Sequence, residues 1–234
     1  MIFQQLFEAE SCTYTYLLAC EQSRQAVLID PVESEVARYI EVLHTQELTL
    51  AYTLETHVHA DHVTGADALR QRLGSQSVVH RDAGVLCGDL LVTDGMHLHV
   101  GSLDIEVRST PGHTSGCVSY YLGDRIFTGD ALLINGCGRT DFQQGDAGQL
   151  YDSVHREIFS LPEATLIYPG HDYHGQTVST VGKEKKDNPR LGGQISRAAF
   201  VALMANLKLG YPAQMAVALP ANQACGRLAV NQSS

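Results

Sequence analysis

No stretch of this 234-residue chain approaches the roughly 18 apolar residues that a membrane span requires. The opening residues, MIFQQLFEAESCTYTY, lack a basic segment followed by a long apolar one, so they do not read as a secretory signal. They also lack the arginine-rich, acid-poor composition of a mitochondrial transit peptide. The expectation is a soluble, cytoplasmic protein with no membrane partner. Basic residues are scarce: 16 Lys and Arg stand against 26 Asp and Glu, a formal charge of −10. That balance argues against nucleic acid and anionic membrane surfaces as partners, and an anionic substrate would need a local basic pocket working against the overall field. The six cysteines (Cys12, Cys20, Cys87, Cys117, Cys137, Cys225) are scattered and include no Cys-x-x-Cys pair. In a chain of this length such spacing fits reduced cytosolic thiols better than a disulfide framework. Most read as small buried residues, with Cys137, in a glycine-bracketed loop, the one to watch. The chain also lacks internal repeats, low-complexity segments and any obvious linker.

Against this plain background one run stands out: Thr-His57-Val-His59-Ala-Asp61-His62, with His113, Asp130 and His171 far downstream. On an extended strand, residues i and i+2 share a face, so His57 and His59 can project together from a strand end, with Asp61 and His62 following as the backbone turns. Three histidines and an aspartate in six residues are hard to explain as core or surface chance. Each downstream partner lies in its own turn-like segment: Thr-Pro-Gly-His113-Thr, Phe-Thr-Gly-Asp130 and Tyr-Pro-Gly-His171-Asp. A glycine between an apolar run and a polar residue marks a strand ending in a tight loop. Imidazole and carboxylate suit first-row divalent metals, and two His plus one Asp with open positions suit non-heme Fe(II).

The remaining pattern predicts strands over 14–19, 26–29, 50–54, 77–79 and 165–168. Helices are expected over 33–46 with Ser34 as N-cap, over 65–73 stopped by Gly74, over 149–159, and last over 194–207. Two hairpins are expected, 97–100 with 103–108 about Gly101-Ser102, and 118–122 with 125–127 about Gly123-Asp124. His97 and His99 alternate with Leu98 and Val100 and read as the solvent side of a strand. The polar run 182–188 reads as a mobile or peripheral solvated surface. The elements fit a single α/β domain spanning 1–234 with a short C-terminal extension from about 182. It would be an αββα sandwich of two mixed sheets flanked by helices, with metal ligands in loops at one edge.

His-x-His-x-Asp-His followed by Pro-Gly-His113-Thr, Thr-Gly-Asp130 and Gly-His171 resembles the metallo-β-lactamase superfamily. That fold hosts several chemistries, so fold alone is a weak guide to reaction. THVHADHVTGA, TGDALLINGCGRTDFQ, YPGHDYHG, DNPRLGG and LPANQACG narrow the resemblance to the persulfide (sulfur) dioxygenases, from the N-terminal strands to about Gly226. The resemblance implies oxidation of glutathione persulfide by O2 to sulfite and glutathione, one Fe(II) per chain, and a homodimer. It places iron ligands at His57, His113 and Asp130, and glutathione contacts at Arg139, Tyr173 and Arg190. Asp61, His62 and His171, which would hold a second metal in binuclear relatives, become partners that orient ligands and water. His59 does not match an iron ligand in this branch. Because every second-site residue is retained, a glyoxalase-II-like hydrolase of glutathione thioesters, with a binuclear metal site, stays open as the alternative. A metal-free binding protein is disfavoured by the same retention.

Overall fold

The computed structural model describes residues 1–227. Two six-stranded sheets form its centre. The first runs β1 (Ile2–Glu8), β2 (Thr13–Ala19), β3 (Gln25–Ile29), β4 (Thr49–Leu54), β5 (Gln76–His80) and β6 (Leu90–Val92), in that spatial order. Its first two pairings are antiparallel and its last three parallel. The second holds β7 (His97–Val100), β8 (Leu103–Ser109), β9 (Val118–Tyr121), β10 (Arg125–Gly129), β11 (Leu166–Pro169) and β12 (Ser179–Thr180), ordered β12-β11-β10-β9-β8-β7. Only β10 with β11 is parallel there.

Burial explains why several strands lack the polar alternation of a half-exposed sheet. In β2, Tyr14, Tyr16 and Leu18 point between the sheets, while Leu17 and Ala19 point at helices on the outer face. A strand covered on both faces reads as a near-continuous apolar run. The inner core joins these residues to Val27, Ile29 and Leu54 of the first sheet and to Ile105, Val107, Tyr120 and Phe127 of the second. Helices α1 (Val36–Thr45) and α2 (Ala66–Leu73) cover the first sheet through Val36, Tyr39, Leu43 and Leu69. Helices α3 (Ala147–Ser153), α4 (Val181–Asp187) and α5 (Arg197–Ala205) cover the second through Leu150, Val181, Phe200 and Met204. A sixth helix, α6 (Met215–Gln223), follows. This is the expected sandwich of two mixed sheets flanked by helices. No helix of the described residues is long and apolar enough to cross a membrane.

Several local expectations need correction. The segment before α1 is a short 3-10 turn (Glu33–Glu35), and Ser34 caps nothing. Helix α3 starts at Ala147 and passes into a π-helical turn, Val154–Ile158. The helix expected over 194–207 is shorter, and α6 comes after it. The polar run 182–188 is a helix docked on the sheet: Thr180 Oγ1 accepts from Lys183 N at 3.1 Å, and Glu184 is wholly buried. Glu184 accepts from Asn135 N at 2.8 Å, Asn188 Nδ2 at 2.9 Å and Ser179 Oγ at 2.5 Å. Cys87 and Cys225 form a disulfide across 138 residues, so the expectation of six reduced thiols holds only for Cys12, Cys20, Cys117 and Cys137.

Candidate metal centre and substrate cleft

Every metal-type residue singled out lies just past a strand end on one edge of the sandwich: His57 after β4, His113 after β8, Asp130 after β10 and His171 after β11. Gly129, at φ +50°, turns β10 sharply, and a Cβ there would stand 2.5 Å from Thr56 Oγ1. Glycine is therefore required where Asp130 is presented.

Hydrogen bonds decide which nitrogens are free. Thr56 N and Oγ1 both donate to the Asp30 carboxylate, each at 2.7 Å. With its proton committed, the Thr56 hydroxyl accepts from His57 Nδ1 at 3.0 Å. The lone pair of His57 is then on Nε2, which is buried and has no partner. His113 Nδ1 donates to Arg139 O at 2.6 Å, leaving Nε2 3.6 Å from Asp130 Oδ2. His57, His113 and Asp130 offer ligand atoms within 4.8 Å of one another. An orphaned buried imidazole nitrogen beside a second free nitrogen and a carboxylate fits a divalent cation. Burial, then the neighbouring His59 and His113, hold the His57 pKa well below its ordinary value, as a ligating neutral imidazole needs.

The second constellation is largely tied up by its own hydrogen bonds, although His62 Nε2 is buried without a partner and His59, Asp61 and His62 also bring ligand atoms within 4.8 Å of one another. His171 faces Asp130 Oδ1 at 2.6 Å through Nδ1 and Asp61 Oδ2 at 2.9 Å through Nε2. Asp61 Oδ2 also meets His62 Nδ1 at 2.9 Å, and Thr13 Oγ1 lies 3.1–3.3 Å from His171, His62 and Asp61. Burial opposes charge on His171, yet Asp130 and Asp61 outweigh it and raise its pKa well above the usual range. Burial would raise both carboxyls, but their histidine partners outweigh it and hold Asp61 and Asp130 well below the usual carboxylate range. His59 turns its Nε2 to Asp30 (3.1 Å) and Glu55 (3.4 Å) and does not join the His57, His113, Asp130 set. Burial pulls His59 down, but the two carboxylates prevail and raise it to about 10.

The site opens into a cleft of about 610 Å³ whose lining includes Asp130, Arg139, Tyr173 and Arg190. All three expected substrate contacts therefore share one wall system with the metal-type residues. Their states differ. Arg139 is tied to Asp141 by two bonds of 2.7 and 2.8 Å and donates to Gly210 O at 2.7 Å, so its charge is locally neutralised. Arg190 donates to Cys137 O at 2.8 Å and has no carboxylate within 4.0 Å among the described residues. Tyr173 is 65% exposed and its ring lies parallel to His171. Cys137 is buried, and burial pushes its thiol up to about 11 despite Arg190, so it sits under the cleft as an inert wall. Sequence reasoning missed Thr13, Asp30 and Thr56, which the fold brings beside the histidines.

Two buried histidines and a half-buried aspartate converging at the open edge of an αββα sandwich are the arrangement of a candidate metal-dependent enzyme. The family model described as "Metallo-beta-lactamase superfamily" matches residues 13–171. The chain is 52% identical over 229 residues to "Persulfide dioxygenase ETHE1, mitochondrial" of Homo sapiens, covering 97% of this chain and 89% of that protein. The crystal structure of ETHE1 from Myxococcus xanthus superimposes with a TM-score of 0.95 at 51% identity, covering 97% of this chain and all of that one. A more distant relative is "Probable hydroxyacylglutathione hydrolase" of Schizosaccharomyces pombe, 33% identical over 81% of this chain and 76% of that protein. The chain belongs to the metallo-beta-lactamase superfamily and, within it, to the family of the persulfide dioxygenase ETHE1 proteins.

Proposed function

We propose that this chain is an iron-dependent persulfide dioxygenase, converting glutathione persulfide, O2 and water to sulfite and glutathione. One Fe(II) per chain would be held by His57, His113 and Asp130. The observation that carries this reading is the partnerless Nε2 of His57 facing the His113 and Asp130 ligand atoms at the head of the cleft. Bound Fe(II) supplies open coordination positions where O2 and a persulfide sulfur can meet.

The chain's own groups do the rest. Thr56 and the Arg139 carbonyl fix the two imidazoles in the tautomer that leaves Nε2 free. Asp61, His62 and His171 act as positioning residues, His171 bonding Asp130 Oδ1 and leaving Oδ2 free, the oxygen that would hold a cation. Glutathione carries two carboxylates, and the guanidinium of Arg190 suits one of them through charge-assisted bonds. Arg139, already paired with Asp141, shapes the rim through Gly210 and Phe142, whose ring lies 4.4 Å from the guanidinium. Tyr173 offers its hydroxyl at the mouth. A single αββα domain with an extension from about 182, a homodimer and a cytoplasmic setting belong to the same proposal; for the last, four cysteines are free while the Cys87–Cys225 disulfide weighs the other way.

A glyoxalase-II-like hydrolase with two metals is the second reading, favoured by the retention of Asp61, His62 and His171 beside Asp130. It requires His171 to give up a nitrogen now bonded to a carboxylate. The deciding experiment is oxygen uptake by anaerobically iron-loaded protein with glutathione persulfide, a glutathione thioester in parallel, and metal analysis. One iron per chain with oxygen consumption is expected. Two metals per chain with thioester cleavage would reverse the order of the readings.

A further inference from the structure

Asn222 lies in α6, after every residue assigned a role so far, and is only 5% exposed. Its Nδ2 donates to His59 O at 2.9 Å and His62 O at 2.8 Å, and its Oδ1 accepts from Thr64 N at 2.8 Å. All three bonds fall on the turn that carries His59, Asp61 and His62. That turn is neither helix nor strand and must find partners for its backbone groups elsewhere. One amide supplies two donors and an acceptor at once, which no other side chain of its size can do.

The surroundings hold the amide in place. Asp67 N donates to Cys225 O at 3.1 Å, and Arg227 pairs with Asp67 at 3.0 Å. Gly226, at φ +91°, passes so close to Thr64 that a Cβ would stand 2.2 Å from its carbonyl oxygen. The Cys87–Cys225 disulfide ties the same segment to the loop after β5.

We infer that Asn222 is a positioning residue of the metal centre: it sets the backbone of the 59–64 turn and, through it, the directions of Asp61 and His62, of which Asp61 holds His171 and His171 holds Asp130. The inference rests on the site being metal-binding, as proposed above. Asn222→Asp tests it with little change in shape. The carboxylate can still accept from Thr64 N, but it cannot donate, and it faces two carbonyl oxygens.

Affinity for Fe(II) and, separately, for Zn(II) would be measured by chelator competition on full-length protein. The electron paramagnetic resonance spectrum of the Fe(II)–nitric oxide adduct and the melting temperature of the metal-free protein complete the readout. Asn222→Asp is expected to weaken metal binding by roughly 10–100-fold, the scale of changes to groups that orient ligands, and to alter the rhombicity of the adduct spectrum. Ala218→Gly loosens the same buried helix without touching the turn and is expected to lower the melting temperature while keeping metal affinity and spectrum. Wild-type affinity and spectrum in Asn222→Asp would overturn the inference, as would an equal loss in Ala218→Gly. Should wild type hold zinc and reject iron, the dioxygenase reading falls, and the zinc affinities still decide the role of Asn222. Should wild type hold neither metal, both fall.

Discussion

Thr56 shows how one hydroxyl decides which nitrogen of a histidine is free. Its side chain joins Asp30 to His57, and nothing in the local sequence marks it. The ligand-type residues were legible because histidine and aspartate in strand-end loops are unusual. Their supports were not, because Thr13, Asp30 and Thr56 look like ordinary strand and turn residues until the fold brings them together. Arg190 and Arg139 likewise look equivalent in sequence and differ only in whether a carboxylate neighbours them. Arg190→Ala is therefore expected to raise KM for glutathione persulfide by an amount worth about 1.5–3 kcal/mol, with kcat less affected. Steady-state kinetics at verified iron content would check this, and an unchanged KM would place glutathione elsewhere. Two buried thiols give a pH prediction. Burial pushes Cys117 up to about 12 and Cys137 up to about 11, against 9.0 for a free thiol. The folded state thus favours the neutral form. Their contribution to stability is complete below pH 9.0 and fades as pH climbs through the folded values. Thermal melts across that range should fall more steeply for wild type than for Cys137→Ala.

At the level of elements, helices ended by a clear stop were readable and helices defined by tertiary docking were not. The helix expected to stop at Gly74 does so, with the glycine at φ +73°. α4 escaped because Gly-Lys-Glu-Lys-Lys-Asp reads as solvated, and only the fold reveals that one glutamate of the run is a buried anchor for three donors. α6 escaped because it carries Pro220 and a run of small residues with no strong apolar face. It is held instead by Asn222 and by the disulfide, and cysteine spacing gave no hint of that pairing. Cys87→Ser should therefore destabilise the protein by about 2–4 kcal/mol, the usual range for a native bridge. Denaturant melts of the variant and of thiol-treated wild type would check it, and an unchanged midpoint in both would show the bridge to be energetically idle.

For the whole molecule, the sequence displays most strands openly as apolar runs and turn signals, but not β1, β6 or β12 and not the order in which the strands pair, and the convergence of loops on one edge is a property of topology alone. A cation at that edge joins β4, β8, β10 and both sheets' loops, so it should stabilise the entire fold. A metal present at about 100 times its dissociation constant adds about 2.7 kcal/mol. For a chain of this size that amounts to roughly 5–10 °C in melting temperature. Calorimetry with and without Fe(II) should show the shift in wild type and lose it in Asp130→Ala. A shift retained in that variant would place the stabilising ion elsewhere.

The wide spacing of the groups around the His59–His62 turn also orders events during synthesis. Thr13 precedes His62 by 49 residues and Asn222 follows it by 160. At about 5–20 residues per second, the last of these contacts becomes available roughly 8–30 s after the turn itself is made. A nascent chain therefore exposes histidines to the cell's metal pool well before it can grip an ion in a defined geometry. Metal loading at the proposed centre would in this sense await Asn222, and metal occupancy would report on the docking of α6.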